Sequence, residues 1–229
     1  VLLVVQAIVG AVTVYFDNAD WTVALHLSLA SIFTSLLIWQ YMSMRVTEGC
    51  DWKFLGASKA FIDKQKKRFI GITSSVFILL ILGAWVSSTA GGQYNQGCSV
   101  GFPNGWPKCQ GSFLPSIDGP GILVQMLHRF GAGIVGVILI LNAARVRVDS
   151  RDFNEGEGFS KAAEVVTGLW ILNVFVGGMY IVFANANEFP ESFSILHLVF
   201  GVASFIAAAV TLMMLRLTHL KQIDGTEEE

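Results

Sequence analysis

Three of the four histidines in this 229-residue chain, His26, His128 and His197, fall inside long apolar stretches. A ring nitrogen at membrane depth either hydrogen-bonds within the protein or ligates a metal. Each of the three lies roughly five to eight residues past the start of its stretch, which at ~1.5 Å per residue places all of them about 10 Å below one surface. Each is followed one helical turn later by a small residue, Ala30, Ala132 or Gly201. Imidazoles at one depth with room beside them suit a flat iron macrocycle, which must approach a helix backbone closely while a ring nitrogen reaches the iron. Singly, each histidine reads as a hydrogen-bonded interior residue; together they favour ligation of haem iron. Zinc fits less well, because no cysteine or carboxylate joins the histidines at that depth and tetrahedral sites take four ligands.

Beside His128 stands Arg129, in "VQMLHRFGAGIVGVILILNAA" (124–144). A charge there costs several kcal/mol without a partner. A haem propionate turned toward water is one partner, met by two parallel hydrogen bonds; the alternative is that the long side chain snorkels to the surface. Cys98 and Cys109 lie in "STAGGQYNQGCSVGFPNGWPKCQGSF" (88–113). They are near enough in sequence to close a small loop, which would add ~2–3 kcal/mol in the chain-entropy model; the competing reading is a redox-active thiol pair. Cys50 is expected to remain a free thiol. His219, flanked by Arg216 and Lys221, reads as solvated.

The elements that position these residues are apolar spans. With 53% hydrophobic and 14% charged residues the chain is too apolar for a soluble globule. About 20 mostly apolar residues cross a ~30 Å hydrocarbon core, and six windows qualify: 1–16, 21–44, 69–88, 121–144, 162–183 and 192–215. The expected fold is an all-α polytopic membrane bundle of six transmembrane helices. Its surroundings are the lipid bilayer, and no basic patch suggests nucleic acid. The chain opens on Val1 within an apolar run and without methionine, so the natural protein is expected to begin earlier; a cleaved signal peptide is the less favoured reading.

Orientation follows from the loops, because Lys and Arg concentrate on the cytoplasmic side. Residues 45–68 carry Arg45, Lys53, Lys59, Lys64, Lys66, Lys67 and Arg68, and the turn between spans four and five adds Arg145, Arg147, Arg151 and Lys161. The other connections hold only Lys108. The histidines and the cysteine loop are therefore expected on the extracytoplasmic side, and residues 216–229 form a cytoplasmic tail. At 89–120 the outer loop is too long for mere connection; with Trp106 and Pro107 it reads as a cap over the bundle. Trp21, Trp85 and Phe189 sit where aromatic belts sit.

An internal repeat organises the spans. Residues 4–30 align with 172–201 once four residues are admitted into the second turn, pairing Gly10 with Gly177, Phe16 with Phe183 and His26 with His197. Between the two copies lies a different hairpin bearing His128 and Arg129. A four-helix unit made of one hairpin of each kind accounts for 69–215, and 1–44 is then the second hairpin of an earlier unit. Two helices bundled in this way can clamp one cofactor between His128 and His197, with His26 belonging to a second, symmetry-related site. A transporter is disfavoured, since no matched pair of Gly or Pro interruptions marks broken helices at the midplane.

Several of these motifs resemble the haem A synthase family: "GAWVSSTAGG" leading into a cysteine loop that ends "GWPKCQG", "MLHRFGAGIVG", and the hairpins "QAIVGAVTV…ALHL" and "NVFVGGMYIV…ILHL". The resemblance implies eight helices in two pseudo-symmetric four-helix haem-binding halves, of which this chain holds the last six. It further implies that His128 and His197 bind haem b, that Cys98 and Cys109 form the disulfide of the second half, and that His26 is one ligand of the substrate haem. The activity implied is oxidation of a haem O methyl group in successive steps to the formyl group of haem A, with haem O synthase or other membrane-complex subunits as neighbours. Two departures bear on catalysis. The glutamate that precedes the family's first His-Arg pair has Gln125 as its counterpart here, and the cysteine loop is longer than the family's short form. No catalytic residue is assigned. The alternative is a bis-histidine cytochrome b that transfers electrons inside a larger complex without catalysing the oxidation.

Overall fold

The computed structural model describes residues 1–87, 98, 100–185 and 190–227, with the side chains of Ser87 and 223–227 left out. The loop segment 88–97, Ser99 and the belt residue Phe189 therefore lie outside the described residues. Six α-helices make up the fold: α1 (Leu2–Tyr15), α2 (Asp20–Thr47), α3 (Lys59–Ser87), α4 (Pro120–Asp152), α5 (Glu157–Val182) and α6 (Glu191–Glu227). A short 3-10 turn, Lys53–Gly56, lies between α2 and α3. Five of the helices are long and apolar enough to cross a membrane; α1, with 14 residues, is apolar but shorter. The chain is an all-α integral membrane bundle.

Lipid offers no hydrogen bonds, so a spanning segment satisfies its backbone internally and becomes a helix whatever the propensity of its Val and Ile residues. The helices outrun their apolar windows at the basic end. Helix α3 begins at Lys59 and α4 continues to Asp152, so much of the connection expected at 45–68 is an extension of α3. Polar helical residues have enough intrahelical bonding there to pass through the headgroup region.

α3, α4, α5 and α6 form a four-helix bundle in which α3 meets α4 and α6, and α5 meets α4 and α6. The α1–α2 hairpin attaches to this bundle through α2, which touches α3 and α6. Val76, Leu139, Val166, Trp170 and Ala208 are buried in the bundle's middle, while Phe61, Phe69 and Phe159 fill the basic end. Leu37, Ile134, Phe175 and Ile195 point outward and are exposed. Apolar side chains both inside and outside mean that burial of apolar area cannot by itself align the helices in lipid.

Hydroxyls and one indole supply alignment instead, each reaching a carbonyl of a neighbouring helix. Thr73 Oγ1 donates to Ala208 O of α6 at 3.2 Å, Thr167 Oγ1 to Leu139 O of α4 at 3.2 Å, and Trp170 Nε1 to Ala132 O of α4 at 3.0 Å. Thr13 of α1 reaches Thr22 O of α2 at 3.2 Å.

The basic ends of α3 and α4 are joined by Asp149. Its carboxylate accepts from Lys64 Nζ, Gln65 Nε2 and Arg68 Nη1, each at 2.7 Å. The carboxylate is nearly buried while Lys64 and Arg68 remain a third or more exposed. The tight α4–α5 turn follows, where Gly156 has φ +77° and an added Cβ would stand 2.3 Å from the Phe61 ring. Only glycine fits both the backbone and the space. Replacing Asp149 with Leu leaves Gln65, fully buried, without its acceptor. The two cations can still turn to water, so the expected loss is about 1–3 kcal/mol, read as a lower midpoint of thermal unfolding in detergent against an Asp149→Asn control that loses less.

Candidate functional site

Each membrane histidine lies against a glycine of the helix before it. A Cβ added to Gly10 of α1 would stand 3.0 Å from Cε1 of His26; one on Gly83 of α3 would stand 3.0 Å from Cε1 of His128; one on Gly177 of α5 would stand 2.6 Å from Cε1 of His197. Three hairpins thus repeat one contact, an imidazole seated edge-on where the facing helix has no side chain. The alignment of the two outer hairpins picks out Gly10 and Gly177. Gly83 opens the motif "GAWVSSTAGG", and a glycine on the outgoing helix of every histidine hairpin is the signal readable in the sequence.

His128 of α4 and His197 of α6 face each other inside the four-helix bundle. Their ring centres are 6.4 Å apart and their planes stand at 89°. His197 Nδ1 is 2.9 Å from the backbone carbonyl of Asn173. A carbonyl only accepts, so Nδ1 carries the proton and Nε2 keeps its lone pair. Among the described residues His128 Nδ1 is buried without a hydrogen-bond partner. Metal–imidazole bonds of about 2 Å on both sides, plus about 1 Å from each nitrogen to its ring centre, span roughly 6 Å. The pair is spaced for a single ion between two imidazoles. Among the described residues no three His, Cys, Asp or Glu side chains gather as a metal cluster.

His26 of α2 stands apart from that pair. Gln6 of α1 places its amide nitrogen 3.1 Å from Nδ1, 3.3 Å from Nε2 and 3.2 Å from the carbonyl of His26. The small residues one turn past the histidines have other duties. Ala132 offers its carbonyl to Trp170, and Gly201 leaves ordinary contact distance to Asn173 and Leu80. Close approach to the rings falls on the three glycines.

Arg129 turns toward the cysteine loop. Nη1 donates to the carbonyls of Gly105 and Lys108 at 2.8 and 2.9 Å, and Nη2 donates to that of Cys98. Nε is buried and has no partner among the described residues. Its side chain is thus bound by the loop rather than extended to the surface. Cys98 and Cys109 are disulfide-bonded and buried, packed on Ile122 and Met126 of α4. The loop also holds α5: Gly101 N–H donates to Ile181 O at 2.9 Å, and the Trp106 indole lies over Gly178, where an added Cβ would stand 3.1 Å away. As the cap expected from Trp106 and Pro107, it ties the ends of α4 and α5 together beside His128 and Gly177. Sequence reasoning had no signal for the carbonyls that Arg129 meets. Cys50 is a free thiol of intermediate exposure, and His219 lies half-buried on α6.

Comparison with known proteins finds a family for this chain. The family model for the cytochrome oxidase assembly protein COX15-CtaA matches residues 1–210. The haem A synthase of Alkalihalophilus pseudofirmus is 33% identical over 165 residues, covering 72% of this chain and 49% of that protein. That of Exiguobacterium sibiricum is 29% identical over 213 residues, 90% of this chain and 63% of the relative, and that of Shouchella clausii is 40% identical over 81 residues, 35% and 25% respectively. The chain spans about half to under two thirds of the length of the first two relatives. With its helices, paired histidines and disulfide loop on one side and a family match over nearly its whole length on the other, the chain belongs to the COX15-CtaA family of cytochrome oxidase assembly proteins.

Proposed function

We propose that this chain is the larger part of a haem A synthase-type membrane oxidoreductase, in which His128 and His197 hold a haem b and His26 contributes to the site of the haem being oxidised. The observation that carries the reading is the 6.4 Å separation of two imidazoles, each with its Cε1 edge against a glycine. Haem b fits the residues: two ring centres at about the spacing that two metal–imidazole bonds span, His197 held by the Asn173 carbonyl in the tautomer that leaves Nε2 its lone pair, and a glycine against each ring.

The substrate would be haem O, one peripheral methyl group of which is converted to a formyl group with water as the source of the oxygen atom, releasing four electrons and four protons in two two-electron steps. A haem b held in the four-helix half would pass those electrons one at a time to an external electron acceptor. The chain's own residues bind and orient. Helices α4 and α6 present the ligands, α3 and α5 give way through Gly83 and Gly177, and the disulfide loop closes the end of the bundle and excludes water. Arg129 fixes that loop through Nη1 and Nη2, which leaves Nε–H for a propionate. Residues 69–215 form the haem b half and residues 1–44 a hairpin of the catalytic half. By the positive-inside rule the loop and the histidines lie toward the extracytoplasmic side and 45–68 and 216–229 toward the cytoplasm. Haem O synthase or other membrane-complex subunits would be its neighbours.

Pyridine-haemochrome and low-spin absorption spectra of the purified protein test the proposal. Replacing His128 or His197 with Ala is expected to abolish the low-spin haem b signal, whereas His26→Ala leaves it in place; full haem b in either of the first two variants sinks the ligation. Replacing Gly177 with Ala pushes a methyl into the His197 ring, and haem b occupancy should fall at least severalfold, while Gly168→Ala, which has open space, changes nothing. Arg129→Leu removes three charge-assisted bonds to the loop, each about 1.5–3 kcal/mol. It should expose Cys98 and Cys109 to mild reductants, measured as faster thiol labelling, and should shift the haem b potential. Unaltered labelling would remove Arg129 from the loop's support, and an unaltered potential would remove it from the propionate.

A further inference from the structure

We infer that Gln6 is an internal competitor for iron at His26, which makes the His26 site one for a haem that comes and goes, while the His128–His197 site is built for a haem that stays. The inference rests on the proposed reading of the three histidines as haem ligands.

The two kinds of site differ in what holds the ring. At His197 the partner is a backbone carbonyl, which can only accept. It holds the proton on Nδ1 and leaves Nε2 ready. At His26 the partner is the amide nitrogen of Gln6, within hydrogen-bond distance of both ring nitrogens. The same nitrogen is 3.2 Å from the carbonyl of His26. A carbonyl needs a donor, so that contact settles which end of the amide faces the ring. An NH2 group gives hydrogens only, and the ring must therefore accept. If Nδ1 accepts, the neutral imidazole carries its proton on Nε2; if Nε2 accepts, its lone pair is already used. In either arrangement neither ring nitrogen has a free lone pair until Gln6 withdraws.

The residue aligned with Gln6 in the last hairpin, four positions before the glycine, is Asn173. Its shorter side chain lies against Gly201, with its Oδ1 buried and without a partner among the described residues. In the middle hairpin that position is Leu79, which has nothing to donate. Among the described residues only the His26 hairpin combines a histidine, a glycine against the ring edge and an amide that reaches the nitrogens. A substrate site must release its product. A ligand whose lone pair is reclaimed by a neighbouring amide binds iron more weakly and lets it go sooner.

Haem transfer from the purified protein to excess apomyoglobin measures the two sites separately. The unmodified protein should lose haem in a fast phase, absent from His26→Ala, and a slow phase from His128–His197. Gln6→Leu should slow the fast phase roughly fivefold, the equivalent of one hydrogen bond no longer competing, and leave the slow phase as it was; the slow phase also reports that the variant is folded. Gln6→Met must move the fast phase in the same direction. An unchanged or faster fast phase in both variants overturns the inference, because Gln6 would then be neutral to the ligated ring or support it. A fast phase that survives in His26→Ala would remove the haem reading of His26 itself, and the role of Gln6 with it.

Discussion

An imidazole ring resting edge-on against a glycine of the adjoining helix recurs in all three histidine hairpins, and the rest of the bundle is arranged around it. A side chain as small as a methyl at Gly177 would stand 2.6 Å from the ring, closer than van der Waals contact allows. The glycine sets how near two helices can come, the histidine sets which way each faces, and the packing of α4 and α6 on opposite sides of α3 and α5 then brings two rings within 6.4 Å. Ligand geometry and helix packing are the same constraint here. A change that respects one but not the other breaks both.

Lipid removes the usual driving force for helix association, since an apolar side chain is as well off outside the bundle as inside. What orders the helices is a set of polar contacts: Thr73 and Thr167 on neighbouring carbonyls and Trp170 on Ala132 within the bundle, and Asp149 among three donors at its basic end. They are spread from the basic end to the level of the histidines. The loop end has its own fastening, in which Arg129 gathers three carbonyls that have no helical partners of their own.

Much of this was legible from the sequence because membranes simplify it. Apolar length places the loop-side ends of α2 to α6 within about a residue, and the shared depth of His26, His128 and His197 can be read from their places in the apolar stretches. The basic-side helix ends were less legible: Lys59 to Arg68 looks like a charged connection, yet once α3 leaves the lipid its helix continues. The role of Arg129 was the hardest to read. A guanidinium can serve a carboxylate, water or a carbonyl equally well, and which one depends on how the loop between α3 and α4 folds back, about which periodicity is silent. The contact of Gly83 with His128 is hard to read for a different reason: its hairpin belongs to the other repeat type, which the alignment of the two outer hairpins does not reach.

Two adjacent glycines lie on α5. Gly177 receives His197 and Gly178 receives the Trp106 indole, so at that level the helix presents bare backbone in two directions. A helix end without side chains to interlock has little of its own to resist rotation or sliding. The bond from Gly101 N–H to Ile181 O and the indole supply that resistance there, as Thr167 and Trp170 do further along the helix. This end of α5 is in effect a smooth shaft whose bearing is the loop, and the alignment of an interior ring depends in part on a segment outside the helices.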